Sequence, residues 1–238
     1  MGGGSRGLEV IVKKLKTYIE HGLWMMLPCR VYWFLWAFYA CFCNCYTMIF
    51  KMGMFRAART GGSVDKDGNP QPWFTYPCIE YLKGRDLSNM DVFEYGSGYS
   101  TAFFSRHAKN VVSVENQPKW RPKVLSMCGD RDNVHVIVAQ DKDHYLKAIN
   151  WSKDYDIIVI DGEWRLDCAK LVLGRLRPNG MIIVDNPDDG RWGKAAAEYL
   201  SQWNLLRVDF WGFAPYIHWY CATAIFFNLD RRIEYEYI

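Results

Sequence analysis

The chain has 238 residues, half of them hydrophobic, which is enough for one folded domain with a core and an additional segment. Its net charge of +3 is unevenly distributed, because residues 1–59 carry eight Lys or Arg and two Glu, a net charge of +6, and the remainder carries −3. A basic segment on a mildly acidic body excludes a nucleic-acid-binding surface over the whole protein. It favours contact of the basic segment with an anionic surface such as lipid headgroups.

The N-terminal part predicts two helical segments. Residues 7–21 predict an amphipathic helix, because apolar side chains recur at helical spacing before Gly22. The next segment, 31–50, contains no charged residue and is bounded by Arg30 and Lys51. Its length permits a membrane span, whereas its many aromatic residues also suit the membrane interface or a protein groove. Two interpretations stay open: residues 7–50 bind a membrane, or they pack onto the body or a partner subunit.

Eight cysteines are scattered along the chain, and none forms a Cys-x-x-Cys pair. Cys41, Cys43 and Cys45 lie within the apolar segment, where cysteine usually behaves as a small hydrophobic residue rather than a metal ligand. Reduced thiols predict an intracellular location, with membrane association through the N-terminal segment as a further prediction. The sequence does not predict an oligomeric state.

The body predicts an α/β fold. Turn-forming residues fill the segment 60–72, so we place a boundary between a helical arm, residues 1–62, and a body, residues 63–238. Strand patterns then alternate with helix patterns; the predicted strands are 91–95, 110–115, 134–139, 155–160 and 180–184, and the predicted helices are 100–107, 118–127, 143–150, 166–175 and 193–202. Two last strand-like runs, 205–211 and 220–228, predict a closing antiparallel pair. The order predicts a doubly wound, mostly parallel, seven-stranded Rossmann-like sheet with ligands at the carboxyl ends of its strands.

A glycine turn and an acid lie at cofactor-binding spacing. The first strand leads into Gly96 and Gly98, and the second strand ends at Glu115, which can accept two hydrogen bonds from a ribose diol. Thr101 stands where a dinucleotide fingerprint needs its third glycine, and Glu94 suits a ligand that carries an amino group. The pattern therefore favours S-adenosylmethionine as the cofactor, with a plain strand-to-helix turn as the alternative.

A second constellation follows two later strands. Asp161 comes directly after one buried strand, and Asp185 and Asn186 come after the next. Two carboxylates and an amide oxygen are the hard ligands that Mg²⁺ prefers, and a bound cation would activate an acceptor hydroxyl. Without a metal, Asp161 is a candidate general base on its own. A third interpretation makes Asp161 a cofactor contact and the Asp-Asn pair a turn.

Six motifs occur in the body in a fixed order. They are Pro-Trp-Phe-Thr-Tyr-Pro (72–77), Phe-Glu-Tyr-Gly-Ser-Gly-Tyr-Ser-Thr (93–101), Val-Ser-Val-Glu (112–115), Ile-Asp-Gly-Glu-Trp-Arg (160–165), Asp-Asn (185–186) and Phe-Trp-Gly-Phe-Ala-Pro (210–215). With these motifs, residues 70–228 resemble class I S-adenosylmethionine-dependent methyltransferases, and they are closest to a group associated with bacterial and viral glycan modification. In the cation-dependent O-methyltransferases, residues similar to Asp161, Asp185 and Asn186 form the metal site.

The resemblance implies roles for individual residues. It implies that the methionine portion of the cofactor is surrounded by Glu94, Gly96, Ser97 and Gly98, that Glu115 binds the ribose hydroxyls, and that Gln140 or Asp141 faces the adenine amino group. Thr75, with Trp73 and Tyr76, is interpreted as a lid over the cofactor or as part of the core. Arg165 is interpreted as a group that binds an acidic or polyhydroxyl substrate, or as an exposed loop arginine.

These observations together predict a transferase that moves a methyl group to a hydroxyl oxygen. The oxygen preference depends on the Asp161, Asp185 and Asn186 set, and the preference for a sugar in a glycan depends on the family resemblance alone. The alternatives are a methyltransferase for a small phenol, a lipid or a protein side chain, and a non-catalytic, membrane-tethered binding module with the same fold.

Overall fold

The computed structural model describes residues 28–152 and 154–229, together with Val10, Lys13, Lys14 and Thr17. The predicted helix 7–21 therefore lies outside the described residues except at those four positions. The chain divides into two compact units, Met1–Lys51 and Met52–Ile238. The second unit begins at Met52 and includes a short helix, α2 (Met54–Thr60), and the boundary expected between residues 62 and 63 stays a prediction.

The described part of the first unit is one continuous helical segment. Helix α1 (Cys29–Tyr46) continues as a π-helical turn, Thr47–Lys51, and none of the described residues of this segment is buried. Within the described residues, Cys29–Lys51 is the one helix that is long and apolar enough to cross a membrane by length and composition. All eight cysteines of the chain are free thiols.

The second unit is built on a seven-stranded sheet. Its strands are β1 (Asp91–Tyr95), β2 (Asn110–Glu115), β3 (Val134–Val138), β4 (Tyr155–Ile160), β5 (Leu176–Asp185), β6 (Leu206–Gly212) and β7 (Cys221–Phe227). The strand order is β3-β2-β1-β4-β5-β7-β6. Strands β1 to β5 are parallel, whereas β7 runs antiparallel to both of its neighbours. The predicted doubly wound sheet with a closing antiparallel pair is confirmed.

Helices cover both faces of this sheet. They are α3 (Tyr76–Lys83), α4 (Tyr99–His107), α5 (Arg121–Cys128), α6 (Lys142–Lys147), α7 (Arg165–Val172) and α8 (Lys194–Leu200), with 3₁₀ turns at Ala148–Trp151 and Leu173–Arg175. The core beneath one face contains Phe93 and Tyr95 of β1, and a smaller cluster on α4, α5 and β3 includes Ala102 and Val136. The strand order reverses between β1 and β4, where α/β sheets bind ligands at their carboxyl ends.

Candidate functional site

The turn after β1 brings the ends of β1 and β4 into close contact. Gly96 has a φ of +96°, and a Cβ on it would lie 2.9 Å from the Asp161 carbonyl oxygen and 3.0 Å from the Gly162 Cα. The position therefore admits only glycine. Gly98 is different, because its φ of 172° is extended backbone and a Cβ would be 4.0 Å from its nearest neighbour, the Trp120 Nε1 atom.

Glu115, at the end of β2, holds the glycine turn in place. Its Oε2 atom accepts hydrogen bonds from the Ser97 hydroxyl (2.8 Å) and the Ser97 N–H (3.3 Å), and its Oε1 atom accepts one from the Gln117 N–H (2.8 Å). The Trp120 indole N–H donates to the Ser97 carbonyl oxygen at 2.8 Å on the other side of the turn. A carboxylate has about four acceptor positions, so one remains for a ligand beside these three bonds.

A cavity of about 350 Å³ opens beside this turn. Its walls include Ser97, Glu115 and Asp161, together with Gly96, Asn116, Gln117, Trp120, Tyr145, Gly162, Glu163, Arg165 and Trp192. The Tyr145 hydroxyl is buried and has no hydrogen-bond partner among the described residues. A buried hydroxyl without a hydrogen-bond partner costs free energy unless a ligand or water bonds to it. The Tyr145 hydroxyl can therefore form a hydrogen bond with a polar ligand in this cavity.

Four residues that the sequence assigns to the cofactor, Thr75, Glu94, Gly98 and Asp141, do not line this cavity. Thr75 is fully buried and ties the start of α3 to the sheet, because its N–H donates to the Thr223 hydroxyl (3.0 Å) and its own hydroxyl donates to the Phe210 carbonyl oxygen (2.8 Å). Asp141 caps α6 at the surface and accepts bonds from the N–H and the ring of His144, which lower the pKa of its carboxyl. Glu94 is fully buried. Their cofactor roles stay predictions.

Glu94 is a carboxyl group in an apolar setting. Neither of its oxygens has a hydrogen-bond partner of good geometry among the described residues. Burial raises the pKa of Glu94 to about 8, and the nearby Thr101 and Ser100 hydroxyls offset this only in part. The raised pKa favours the protonated form of Glu94 in the ligand-free protein, and a cationic amino group bound beside it would lower this pKa again.

Arg165, in the first turn of α7, connects the ends of β4 and β5. Its Nη2 donates to the Asp161 Oδ1 atom at 2.9 Å, and its Nη1 donates to the Asp185 carbonyl oxygen at 2.7 Å and lies 3.5 Å from the Asn186 Oδ1 atom. Its Nε donates to the Gly162 carbonyl oxygen at 3.0 Å. Only 8% of its side chain is exposed. Arg165 is thus buried and connects two strand ends through hydrogen bonds, so it is not an exposed loop arginine.

The two carboxyl groups near this arginine have raised pKa values. Burial raises the pKa of Asp161, although the charge and hydrogen bond of Arg165 lower it. Burial and the Asp161 charge raise the pKa of Asp185 well above its usual range, against the Thr223 hydroxyl that donates to its Oδ1 atom at 2.7 Å. Asp161 accepts a hydrogen bond from the Arg165 guanidinium and has a raised pKa, and a carboxylate of raised pKa is a better proton acceptor.

The predicted magnesium set does not fit a metal ion in this structure. Only two of its three members are carboxylates, and among the described residues no group of three or more His, Cys, Asp or Glu side chains is arranged to hold a metal ion. The Asp161 Oδ1 atom accepts a hydrogen bond from the Arg165 guanidinium instead, and the Asn186 Oδ1 atom lies 3.5 Å from it. The Asp185 residue meets this guanidinium through its main-chain carbonyl oxygen, whereas its carboxyl group accepts the Thr223 hydroxyl. The prediction overlooked that an arginine three residues beyond Gly162 can fold back onto the strand ends.

A second cavity, of about 710 Å³, adjoins the first. Asp161 and Trp192 line both cavities. The other walls of the second cavity are Trp73, Asp185, Asn186, Asp188, Asp189, Gly190, Arg191, Ala214, Ile217, Trp219 and Cys221. Arg191 pairs with Asp189 at 2.8 Å, and Asp188 accepts a hydrogen bond from the Ala222 N–H at 3.1 Å. One cavity for a cofactor and one for an acceptor, joined at a carboxylate, is the arrangement that group transfer requires.

Unusual backbone conformations mark the same region. Four non-glycine residues in the described chain have positive φ, and two of them adjoin the cavities directly: Trp164 (48°), which packs edge-on against Tyr145, and Asn186 (53°). A third, Tyr216 (53°), stacks on Trp73 with ring centroids 5.1 Å apart. Such conformations cost free energy and persist where the surrounding structure holds them, often at functional sites.

Sequence reasoning missed most aromatic walls of these cavities. Trp120, Tyr145, Trp192 and Trp219 come from helices and loops between the recognised motifs, so no motif spacing identifies them. The one available signal was their abundance, since the chain has 11 tryptophans, more than a core of this size needs.

Comparisons with solved structures agree with the observed architecture. The chain is similar to an rRNA methylase from Streptococcus thermophilus (TM-score 0.52, 16% identity, covering 65% of this chain and 97% of that one). It is also similar to a protein from Klebsiella pneumoniae described as an O-methyltransferase (TM-score 0.51, 15% identity, 64% of this chain and 77% of that one). No protein-family model and no curated protein matches the sequence. At these identities the likeness shows the fold alone, which is the Rossmann-like fold of class I S-adenosylmethionine-dependent methyltransferases.

Proposed function

We propose that this protein is an S-adenosylmethionine-dependent methyltransferase that acts on a hydroxyl oxygen of a sugar, as part of a glycan. The observation that carries this proposal is the junction of the two cavities at Asp161. The first cavity has the glycine turn and Glu115 of a nucleoside site, and the second offers aromatic and polar walls to an acceptor. Asp161 then lies where the acceptor hydroxyl loses its proton.

The charge of the first cavity supports a sulfonium cofactor. Three carboxylate side chains line it, Glu115, Asp161 and Glu163, and its one basic side chain, Arg165, already uses its guanidinium on protein oxygens. The sulfonium and amino groups of S-adenosylmethionine are cationic and suit such walls. The pyrophosphate of a dinucleotide is dianionic and does not.

The second cavity supports a neutral, polyhydroxyl acceptor. Three indoles, Trp73, Trp192 and Trp219, provide flat apolar walls against which the C–H face of a sugar ring can pack. Its one basic side chain, Arg191, pairs with Asp189, and burial and the Asp161 charge raise the pKa of Asp185. Carboxyl and amide groups are left to bond to the hydroxyls of a sugar.

Exposed aromatic rings beyond the cavity support a chain of sugars. Tyr216 stacks on Trp73, and Trp211 stacks on Tyr220 with centroids 5.9 Å apart; all four side chains are at least 36% exposed. Solvent-exposed rings beside a binding cavity extend the surface that an oligosaccharide can cover. A small phenol would leave this surface unused.

Thermal unfolding tests the cofactor assignment, and a transfer assay tests the acceptor. S-adenosylhomocysteine should raise the unfolding midpoint, whereas NAD should not, because only a bound ligand stabilises the folded state. Incubation with labelled S-adenosylmethionine and a panel of oligosaccharides, phenols and peptides should then place the label on an oligosaccharide. Stabilisation by NAD alone would refute the cofactor. Label on a phenol or peptide would refute the sugar, and cofactor binding without any transfer would favour the binding-module alternative.

Replacing Glu115 by alanine should weaken S-adenosylhomocysteine binding at least about tenfold, or 1.4 kcal/mol. The variant loses both the ribose acceptor and the carboxylate that fixes Ser97 and Gln117. Isothermal titration calorimetry measures the change. Ser97→Ala is the matched control, because it removes the shorter Ser97 bond and leaves the Glu115 carboxylate, so its affinity should stay within about threefold. Unchanged affinity in folded Glu115→Ala would remove the ribose role of Glu115.

The apolar N-terminal helix supports association with a lipid bilayer. The Cys29–Lys51 segment has 23 residues, which at the helical rise gives about 35 Å, against a hydrocarbon core of about 30 Å. Arg30 and Lys51 bound its apolar run, and Phe34 and Phe38 are more than 60% exposed. A bilayer removes this apolar surface from water, and its headgroups suit the two basic ends.

Vesicle flotation tests this association. The full chain should float with vesicles of phosphatidylcholine and phosphatidylserine, and Phe34→Lys with Phe38→Lys should reduce the floating fraction several-fold. The control is Leu206→Lys with Val208→Lys, which charges two exposed positions on β6 and should leave flotation unchanged. A wild-type chain that stays at the bottom of the gradient would favour the alternative, in which the segment packs on protein.

A further inference from the structure

We propose that Arg165 is the resident cation between the ends of β4 and β5, in the place where the sequence predicts Mg²⁺, and that its charge excludes a divalent metal ion there. Of the three residues predicted to bind the metal, Asp161 gives a carboxylate oxygen to this guanidinium at 2.9 Å, Asn186 places its amide oxygen 3.5 Å from it, and Asp185 gives its main-chain carbonyl oxygen at 2.7 Å. The catalytic consequence rests on the proposed function, whereas the exclusion of a metal does not.

The guanidinium is fixed from further directions. Its Nε bonds to the Gly162 carbonyl oxygen, and its Cζ lies 5.6 Å from the centroid of the Trp192 ring, in cation–π range. An arginine so held cannot lose its proton, because its pKa lies far above any working pH. The positive charge is therefore permanent and occupies the space between the ends of β4 and β5.

A divalent ion bound by the Asp161 and Asn186 side chains would have to share their oxygens with this charge. Mg²⁺ needs oxygen ligands at about 2.1 Å in octahedral geometry, whereas these oxygens are spaced for the longer bonds of a planar guanidinium. Repulsion between the two cations in a buried site would add to the misfit. The Asp185 carboxyl is also engaged, since its Oδ1 atom accepts the Thr223 hydroxyl.

Arg165 then acts as a positioning residue for Asp161. It holds one carboxylate oxygen in a charge-assisted hydrogen bond and leaves Asp161 in the wall that the two cavities share. The guanidinium supplies fixed positive charge beside the reacting oxygen, and methyl transfer from a sulfonium needs no further activation of the donor. The reaction therefore proceeds without a metal ion.

Manganese binding, measured by electron paramagnetic resonance on the full chain with S-adenosylhomocysteine present, tests the inference without turnover. Wild type should bind no Mn²⁺ below about 1 mM, the weak limit of protein sites for hard cations. Arg165→Gln removes the charge and leaves the Asp161 and Asn186 side-chain oxygens and the Asp185 main-chain carbonyl oxygen facing the vacated space, so it should gain Mn²⁺ binding. Arg191→Gln, which removes an exposed arginine from the second cavity, should not.

Several results would overturn the inference. Wild-type binding of Mn²⁺ that Asp161→Asn abolishes would show that a metal site exists beside the arginine. A folded Arg165→Gln variant that binds no Mn²⁺ would show that the guanidinium is not what excludes the ion. If this variant does not fold, the wild-type titration still decides. A chain that fails to bind S-adenosylhomocysteine but behaves as expected toward Mn²⁺ would refute the proposed function and leave this inference standing.

Discussion

Asp161→Asn is expected to lower kcat for methyl transfer by about 10² to 10⁴, the range that general-base catalysis contributes. Asp161 lies in the wall common to both cavities, and burial raises the pKa of its carboxyl toward the range of a useful base. Asparagine keeps the shape and an oxygen for the bond from Arg165, but it cannot take a proton. Initial rates with the best acceptor from the oligosaccharide panel measure the loss.

The same variant should bind S-adenosylhomocysteine within about threefold of wild type, because shape and packing are retained and only the charge is lost. Asp167→Asn is the control: this carboxylate on α7 pairs with Lys142 at 2.6 Å outside both cavities, and its loss should leave kcat unchanged. A fully active Asp161→Asn would exclude Asp161 as the base. An inactive Asp185→Asn beside it would assign the role to Asp185.

The strand pattern predicted the sheet well because each parallel strand contains at least three apolar residues within a short segment. The predicted strands 91–95, 110–115 and 155–160 agree with β1, β2 and β4 at both ends. Strand β5 begins at Leu176 rather than at residue 180, because Leu176 pairs with Tyr155 across a shift in register. Such a pairing depends on a neighbouring strand and is not visible in the local pattern.

The functional site was predictable where strand ends determine it. Glu115, Asp161 and Asp185 follow parallel strands, so their approach to one edge of the sheet follows from topology. The side chains that fill the space between these three residues do not follow from the topology. The partner of Asp161 is Arg165, one helical turn away, and the Trp192 side chain that adjoins both comes from a loop far along the chain. Side chains that fold back onto a site leave no periodic signal.

The structure places Glu94, a residue that the sequence analysis assigns to the cofactor, in a buried environment. The acid two residues before Gly96 predicts a contact with the amino group of the cofactor, but strand alternation points Glu94 into the protein, where it is fully buried. The same alternation places Phe93 and Tyr95 in the core on the opposite face. The charge of an acid in a motif thus cannot be assumed before its burial is known.

Glu94→Gln should make the free energy of unfolding less dependent on pH. Folded Glu94 keeps its proton up to its pKa of about 8, whereas the unfolded carboxyl loses it near 4.5, so between these values the folded state binds more protons. Stability of the wild type therefore falls as pH rises through this window, by about 3 kcal/mol between pH 5.5 and pH 9, and the loss is complete above pH 8. Glutamine imitates the neutral acid and has no such loss.

Urea unfolding of the full chain at pH 5.5 and pH 9 measures the difference between variant and wild type. The two should be of similar stability at pH 5.5, and the variant should be more stable at pH 9. Glu80→Gln, on the exposed face of α3, is the control and should follow the wild type at both values. If the free energy of unfolding changed with pH in the same way for Glu94→Gln and wild type, the buried carboxyl of wild type would not be protonated. A tenfold loss of S-adenosylhomocysteine affinity in Glu94→Gln would instead support the cofactor contact that the family resemblance implies.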